Sequence, residues 1–101
     1  MAIIVIIPAY NEALSIGKVV ADIPKDIGVS DILVVNNAST DDTAKVAAEA
    51  GAIVLFEKNK GYGNACLKGM EYIAQLPKEK KPQVVVFLDG DYSDYPEDMR
   101  A

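Results

Sequence analysis

The chain has 101 residues, of which 50% are hydrophobic and 25% are charged, and it carries a net charge of −5 with no histidine. This composition is that of one small folded domain and excludes a disordered chain. The acidic balance excludes a nucleic-acid partner, since the one lysine-rich stretch, at 78–81, is short and typical of a solvated loop.

Four short apolar runs predict β-strands. They cover residues 3–7, 32–35, 53–56 and 84–88, and they are rich in β-branched side chains. Continuous apolar runs of this length are typical of a parallel sheet that is covered on both faces.

Three helical patterns lie between these strands. The first has an apolar face over residues 16–23, with Asn11 as its predicted N-cap and Pro24 after its end. The second is predicted to begin at Ser39 or Thr40, to carry acidic residues at 41 and 42 in its first turn, and to end at glycine 51.

The residues predicted to face inward differ between the second and third helices. The second helix has a small inward face, formed by Ala44, Ala47 and Ala48. The third helix begins in the stretch GYGN and ends before a proline, and its predicted inward face consists of Cys66, Met70, Ile73 and Ala74.

The alternation of strands and helices predicts an α/β fold with a doubly wound, mostly parallel sheet. The expected strand order is 3-2-1-4, with helices on both faces. Ligands of such sheets bind outside the carboxyl ends of the strands, where the strand order reverses. Polar residues concentrate after all four predicted strands, in the stretches PAYNE, NNASTDD, EKNKGYGN and DGDYSDYPED.

Two carboxylates follow the last predicted strand. Asp89 and Asp91, separated by Gly90, can converge on a hard cation such as Mg²⁺ or Mn²⁺, which would bridge to a diphosphate. The alternatives are solvated turn aspartates or the nucleophile motif of a haloacid-dehalogenase-type phosphatase, which normally follows the first strand. An EF-hand is excluded because Asp94 and Arg100 occupy its glycine and glutamate positions.

These segments together resemble the nucleotide-binding half of family 2 glycosyltransferases, which have the GT-A fold, and look most like polyprenyl-phosphate sugar transferases. The resemblance rests on VIIPAYNEALSIGKVV from Val5, GYGNACLKG from Gly61 and DGDYSDYPED from Asp89, and it spans residues 1–101. It implies a Rossmann-like half of a GT-A fold that binds a nucleoside-diphosphate sugar. It also implies an inverting, metal-dependent transfer to an acceptor such as polyprenyl phosphate or a glycan.

The resemblance also implies roles for single residues. Pro8 and Tyr10 would contact the nucleoside. Asp89 and Gly90 would hold the ribose and diphosphate, and Asp91 would be the more direct metal ligand, with Asp89 beside it.

Other residues in the segments that carry the resemblance have two interpretations each. Glu12 either assists at the metal or is a first-turn carboxylate favoured by the helix dipole. Asn59 and Lys60 either reach the nucleotide or belong to a solvated turn. The glycines at 61 and 63 indicate a tight turn rather than a dinucleotide-binding fingerprint, because they follow the third strand.

One segment departs from the family pattern. Where relatives carry Val-Asp-Asp-Gly-Ser, this chain has Asn36, Asn37 and Ala38. An amide keeps one acceptor and adds a donor, which suits uracil, whereas guanine presents two adjacent donors that a carboxylate matches. The asparagines therefore favour UDP over GDP, or alternatively they weaken nucleotide binding in a degenerate relative.

A complete GT-A transferase is longer than this chain and has a general base in its acceptor half. We therefore expect an N-terminal portion that binds the donor without transferring sugar, and that self-associates through the edge of its fourth strand. A nucleotidyltransferase and a non-catalytic nucleotide-binding module remain as alternative functions.

The cellular location follows from two further features. No apolar run approaches the roughly 20 residues of a membrane span. The single cysteine, Cys66, favours a reducing compartment. We expect a cytoplasmic protein, with membrane association left open for a longer parent chain.

Overall fold

The computed structural model describes residues 2–90, in which strands and helices alternate as predicted. The strands are β1 (Ile3–Ala9), β2 (Val29–Asn36), β3 (Ile53–Phe56) and β4 (Val84–Phe87). The helices are α1 (Ile16–Asp22), α2 (Thr43–Glu49) and α3 (Tyr62–Ala74), and a short 3₁₀ turn covers Lys78–Lys80. Within this part of the chain, no helix is both long enough and apolar enough to cross a membrane.

The sheet is parallel, and its order β3-β2-β1-β4 confirms the predicted one. β1 pairs with β2 along its whole length, with a register shift between Ile3 and Ile4. On its other side, β1 pairs with β4 from Ile3, opposite Val84, to Ile6, opposite Phe87. β2 and β3 are added on one side of β1 and β4 on the other, so the strand order reverses between β1 and β4. The carboxyl ends of these two strands therefore flank the place where such sheets bind ligands.

Helices cover both faces of the sheet, as predicted. Alternate residues of a strand face opposite sides, so Val5 and Ile7 pack with α1 and α2, whereas Ile4 and Ile6 pack with α3. All four side chains are fully buried. β1 therefore reads as one uninterrupted apolar run because it is the central strand between two cores.

The first helix begins later than predicted. Its N-cap is Ser15, not Asn11, which lies in the preceding loop with a positive φ of 52°. The side chain of Asn11 accepts a hydrogen bond from the Thr40 backbone N–H at 2.8 Å instead of capping its own helix. Asparagine side chains compete in this way for nearby backbone groups, and here the competing group belongs to another loop.

The second helix also begins later, at Thr43 with Asp42 as its N-cap, so Asp41 and Asp42 precede the first turn. Its buried positions are Thr43 and Ala47, while Ala48 is exposed. The predicted alanine face was therefore wrong at Ala48, and the buried positions of α2 lie one helical turn apart, at Thr43 and Ala47.

The inward face of α3 is rotated relative to the prediction. Its buried residues are Ala65, Gly69 and Ile73, whereas Met70 is 41% exposed and Cys66 is only half-buried. A Cβ atom at Gly69 would lie 2.8 Å from the Ile6 Cγ2 atom. The missing side chain lets the helix lie close to β1 with this position facing inward, and the apolar pattern alone does not reveal it.

Candidate functional site

A cavity of about 200 Å³ lies at the carboxyl end of the sheet. Its walls come from the segments that follow β1, β2, β3 and β4, which is where the sequence predicts a ligand site. Six residues that the sequence singled out line it: Pro8, Tyr10, Glu12, Asn37, Asp89 and Gly90. The cavity therefore brings together candidates from three separate loops.

Two further lining residues, Ala9 and Tyr62, were missed by sequence reasoning. Ala9 extends β1 by two residues beyond the predicted strand. Tyr62 is the first residue of α3, lies between two glycines and is 57% exposed. An exposed aromatic side chain at a helix start beside a predicted ligand site was the available signal.

Three of the predicted residues, Asn36, Asn59 and Lys60, do not line the cavity. The Asn36 Oδ1 atom accepts a hydrogen bond from the Ser39 backbone N–H at 3.0 Å, which closes a local turn. Asn59 donates its backbone N–H to Glu57 Oε2 at 2.9 Å. The Lys60 ammonium contacts Tyr10, which does line the cavity. Asp91 lies outside the described residues.

Tyr10 and Lys60 connect the segments after β1 and β3. The Lys60 ammonium nitrogen is 3.0 Å from the Tyr10 hydroxyl oxygen and 4.6 Å from the centre of its ring. A lysine at this distance from an aromatic ring is attracted to its face. The pair therefore sets a cation and an aromatic ring side by side at the cavity, and both groups can contact a nucleotide.

Asn37 connects three of the cavity segments through four hydrogen bonds. Its backbone N–H donates to the Ala9 carbonyl at 2.8 Å, and its side-chain Nδ2 donates to the carbonyls of Glu57 (3.0 Å) and Asn59 (2.9 Å). Its Oδ1 accepts from the Gly61 N–H at 2.9 Å. The residue is 6% exposed, so its amide serves the protein's own loops in this structure.

The turn after β4 is packed against the end of β1. The Ser15 hydroxyl lies 2.6 Å from the Gly90 carbonyl, to which it donates. A Cβ atom at Gly90 would lie 3.2 Å from the Ala9 Cβ and 3.3 Å from the Pro8 carbonyl oxygen. These contacts fix the backbone beside the Asp89 carboxylate, and only glycine fits at position 90 without displacing a neighbour.

The segments after β1 and β2 are also joined by side chains. The Glu12 backbone N–H donates to the hydroxyl of Thr43, a fully buried residue, at 2.9 Å, and the Ala13 N–H donates to Asp41 Oδ2 at 3.2 Å. The Thr43 hydroxyl donates in turn to Asp41 Oδ1. This hydroxyl, followed by the backbone N–H groups of Thr43 and Ala13, lowers the pKa of the Asp41 carboxyl below its ordinary value.

The carboxylates at the cavity fit a hard cation that arrives with a phosphorylated ligand. Among residues 2–90, no group of three or more acidic, histidine or cysteine side chains is placed to hold a metal by itself. Asp89 and Glu12 both line the cavity. Mg²⁺ commonly takes only one or two protein carboxylates and completes its shell with water and substrate phosphates, so these donors suit it.

The chain resembles known glycosyltransferases in sequence. It is 37% identical over 90 residues to the glycosyltransferase AglJ of Haloferax volcanii, covering 89% of this chain and 27% of that protein. It is 38% identical over 89 residues to the protein RfbJ of Shigella flexneri, covering 88% of this chain and 64% of that protein. The chain thus spans less than two thirds of the length of these relatives.

The chain also resembles a solved enzyme in structure. Glucosyl-3-phosphoglycerate synthase of Mycobacterium tuberculosis superimposes with a TM-score of 0.77 and 29% identity, over 98% of this chain and 38% of that one. That enzyme has been crystallised with Mn²⁺, UDP-glucose and phosphoglyceric acid; this complex matches 88% of our chain and 33% of its own, with a TM-score of 0.70 and 28% identity.

The sequence profile of glycosyl transferase family 2 matches residues 4–101, nearly the whole chain. The parallel sheet of order 3-2-1-4 and the cavity at its carboxyl end agree with that match. The chain therefore belongs to glycosyl transferase family 2.

Proposed function

We propose that this chain binds a nucleoside-diphosphate sugar together with Mg²⁺ or Mn²⁺, as the donor-binding portion of a glycosyltransferase. One observation carries the proposal: an aromatic ring and a carboxylate, from Tyr10 and Asp89, line the cavity at the switch point of the sheet, and the Lys60 ammonium contacts Tyr10. These are the groups that a base, a phosphate and a phosphate-bound cation require.

The proposed roles follow from position. Tyr10 and the Pro8 turn contact the nucleoside, and Gly90 brings backbone close to the ribose or diphosphate. Lys60 lies where its ammonium can approach a phosphate. Asp89, with Asp91 as its predicted partner, would hold the divalent cation, which offsets the charge of the diphosphate and stabilises it as a leaving group.

Glu12, which also lines the cavity, is proposed to support this arrangement. Its backbone N–H is held by Thr43, and the Ser15 hydroxyl lies 3.3 Å from its Oε2 atom. A Cβ atom at Gly90 would lie 3.4 Å from the Glu12 Cγ atom, so the Glu12 side chain lies beside the turn after β4. Its carboxylate can accept a hydrogen bond from a ribose hydroxyl or from a water of the cation.

UDP is the proposed nucleotide. The support comes from the structural relative that binds UDP-glucose with Mn²⁺, at 28% identity. The amide of Asn37 adds little direct support in this structure, because its donors and acceptor already bond to backbone groups. Selection against GDP would then depend on the shape of the cavity between Tyr10 and Asn37.

For the whole parent protein we propose an inverting transfer of the sugar, with the general base supplied from outside residues 1–101. The acceptor is proposed to be a lipid phosphate such as polyprenyl phosphate, or a glycan. The described residues are assigned no step beyond holding the donor, and sugar transfer by the 101-residue chain alone would contradict this division of labour.

Isothermal titration calorimetry tests the proposal. UDP should bind in the presence of Mn²⁺, more tightly than GDP, and EDTA should weaken binding. Asp89→Asn should reduce the affinity about tenfold or more, because hydrogen bonds and ion contacts of a charged group are worth roughly 1.5–3 kcal/mol. Gln83→Glu, an exposed change at the other end of the sheet, is the control and should bind as the wild type does.

Self-association through β4 remains part of the proposal. Within residues 2–90, β4 is an edge of the sheet and pairs only with β1, and Val84 and Phe87 are both more than a third exposed. An exposed apolar edge is a template for pairing with another chain. Light scattering over a concentration series should detect dimers or larger species, and a strict monomer at high concentration would contradict the proposal.

A further inference from the structure

The side-chain amide of Asn37 makes three hydrogen bonds to the loop after β3. This loop, residues 57–61, receives two donated hydrogen bonds from Nδ2 and returns one to Oδ1. An amide can donate and accept at once, whereas a carboxylate can only accept. The pattern of bonds therefore matches asparagine and does not match aspartate.

We infer that Asn37 is a positioning residue of the nucleotide site, which must be an amide because its two donors hold the 57–61 loop in place. The inference rests on the proposed function for its effect on binding. In this role the side chain does not hydrogen-bond the base, since its Nδ2 and Oδ1 atoms are already bonded to the protein.

The loop that Asn37 holds carries the groups at the cavity. Lys60 lies within it and contacts Tyr10, and Gly61, whose N–H bonds to the amide, directly precedes Tyr62. Gly61 has a φ of 133°, a conformation that favours glycine. A displacement of this loop would therefore move a lysine on one side and the start of α3 on the other.

Aspartate at position 37 should damage the site, although the family pattern usually has aspartate in this segment. A carboxylate there would face the carbonyl oxygens of Glu57 and Asn59 with no hydrogen to share. Repulsion between these oxygens would push the loop away. A protonated carboxyl would have one hydrogen to donate and could still accept from Gly61, so low pH should restore part of the arrangement.

Hydrogen exchange measured by NMR tests the loop directly, without any nucleotide. In the wild type, the Gly61 amide should be protected. Asn37→Asp at pH 8 should lower its protection about tenfold or more, since a lost or unsatisfied buried hydrogen bond has an effect of this size. Asn36→Asp is the matched control, because it adds the same charge one residue away while keeping the acceptor for Ser39.

Affinity for UDP with Mn²⁺, measured at pH 8 and pH 5.5, tests the effect on the site. At pH 8, Asn37→Asp should bind about tenfold more weakly than the wild type, and Asn37→Ala should be weakened less. At pH 5.5, the deficit of the Asp variant relative to the wild type should shrink, while that of the Ala variant should stay the same.

Comparison with the wild type at each pH removes the contribution of the other groups around residue 37. The titratable and charged side chains of the cavity and its loop are present in every variant: Tyr10, Glu12, Glu57, Lys58, Lys60, Tyr62 and Asp89. Gln83→Glu, measured at both pH values, controls for the added charge and should follow the wild type.

Several outcomes would overturn the inference. They are an Asp variant with wild-type protection of Gly61, an Asp variant that binds UDP as well as or better than the wild type at pH 8, and equal recovery of the Asp and Ala variants at pH 5.5. If the Asp variant does not fold at pH 8 by circular dichroism, loss of Gly61 protection in folded Asn37→Ala carries the test.

The exchange data separate this inference from the proposed function. A wild type that does not bind UDP, with Gly61 protection still dependent on Asn37, would overturn the nucleotide site and leave the structural bond intact. A wild type that binds UDP, with affinity indifferent to the Asp and Ala substitutions, would overturn the positioning role alone.

Discussion

The two ends of the sheet are built in different ways. At the carboxyl end, side chains bond between segments that are far apart in the sequence: Ser15 to Gly90, Lys60 to Tyr10, and Asn37 to three positions of the loop after β3. At the amino end, the ammonium groups of Lys25 and Lys81 bond to carbonyls only two to eight residues away, where helices end.

This difference indicates what each end must do. The bonds of Lys25 and Lys81 satisfy the last carbonyls of nearby helices, a local requirement of any helix. The bonds at the carboxyl end instead hold four loops in fixed positions relative to one another, which a binding site needs. At the second cavity, which lies at the amino end and is lined by Lys25 and Ser30 among others, the Ser30 hydroxyl donates to the Ile3 carbonyl at 3.3 Å.

The largest expected effect is on stability, from Thr43→Val. The substitution keeps the shape but leaves the Glu12 N–H and the Asp41 carboxylate without the Thr43 hydroxyl, which is fully buried. We expect a loss of about 1–3 kcal/mol in the free energy of unfolding. Denaturant titration of Lys25→Met, expected to lose about 0.3–1 kcal/mol at the amino end, provides the comparison. Equal losses of unfolding free energy in the two variants would contradict the difference between the two ends of the sheet.

A middle-sized effect is expected from Ser15→Ala, which removes the hydrogen bond to the Gly90 carbonyl. The affinity for UDP with Mn²⁺ should fall about two- to tenfold, since the turn that carries Asp89 loses a bond worth roughly 0.5–1.5 kcal/mol. Ser15→Thr keeps a hydroxyl and should restore most of the affinity. An alanine variant with unchanged affinity would show that this bond does not position the turn.

The smallest expected effect concerns pH. The pKa of the Asp41 carboxyl is lowered in the folded protein below its ordinary value of 3.8. Its stabilising contribution is therefore present above that value and is lost as the pH falls through the lower, folded value. Urea unfolding between pH 6 and pH 2 should show a shallower acid loss for Asp41→Asn than for the wild type. If the free energy of unfolding fell equally with decreasing pH in both proteins, the role of Thr43 in holding this carboxylate would be contradicted.

Much of the fold was predictable because the signals are local. Apolar runs identified the four strands, and their alternation with helices identified the sheet order. The starts of α1 and α2 were not predictable, since Asn11 and Asp41 bond to residues 28–29 positions away, which no local pattern reveals. The face of α3 was missed for a related reason: Gly69 packs against Ile6 only in the folded sheet.

The place of the cavity was predictable, because ligands of parallel sheets bind at the carboxyl ends of the strands, and six of the predicted residues line it. The internal role of Asn37 was not predictable. Its partners are backbone groups of Glu57, Asn59 and Gly61, and backbone groups carry no sequence signal. The same amide that suggested a base-reading residue in the sequence is bonded to the neighbouring loop in the structure.

The central claim is that the carboxyl end of the sheet binds a nucleotide and the amino end does not. Titration of ¹⁵N-labelled chain with UDP and diamagnetic Mg²⁺, followed by amide chemical shifts, tests it most directly. We expect shifts to concentrate at residues 9–12, 37, 59–63 and 88–90, with those at 25–32 and 51–53 unchanged. Shifts centred on the amino end, or no shifts at millimolar UDP, would contradict the claim.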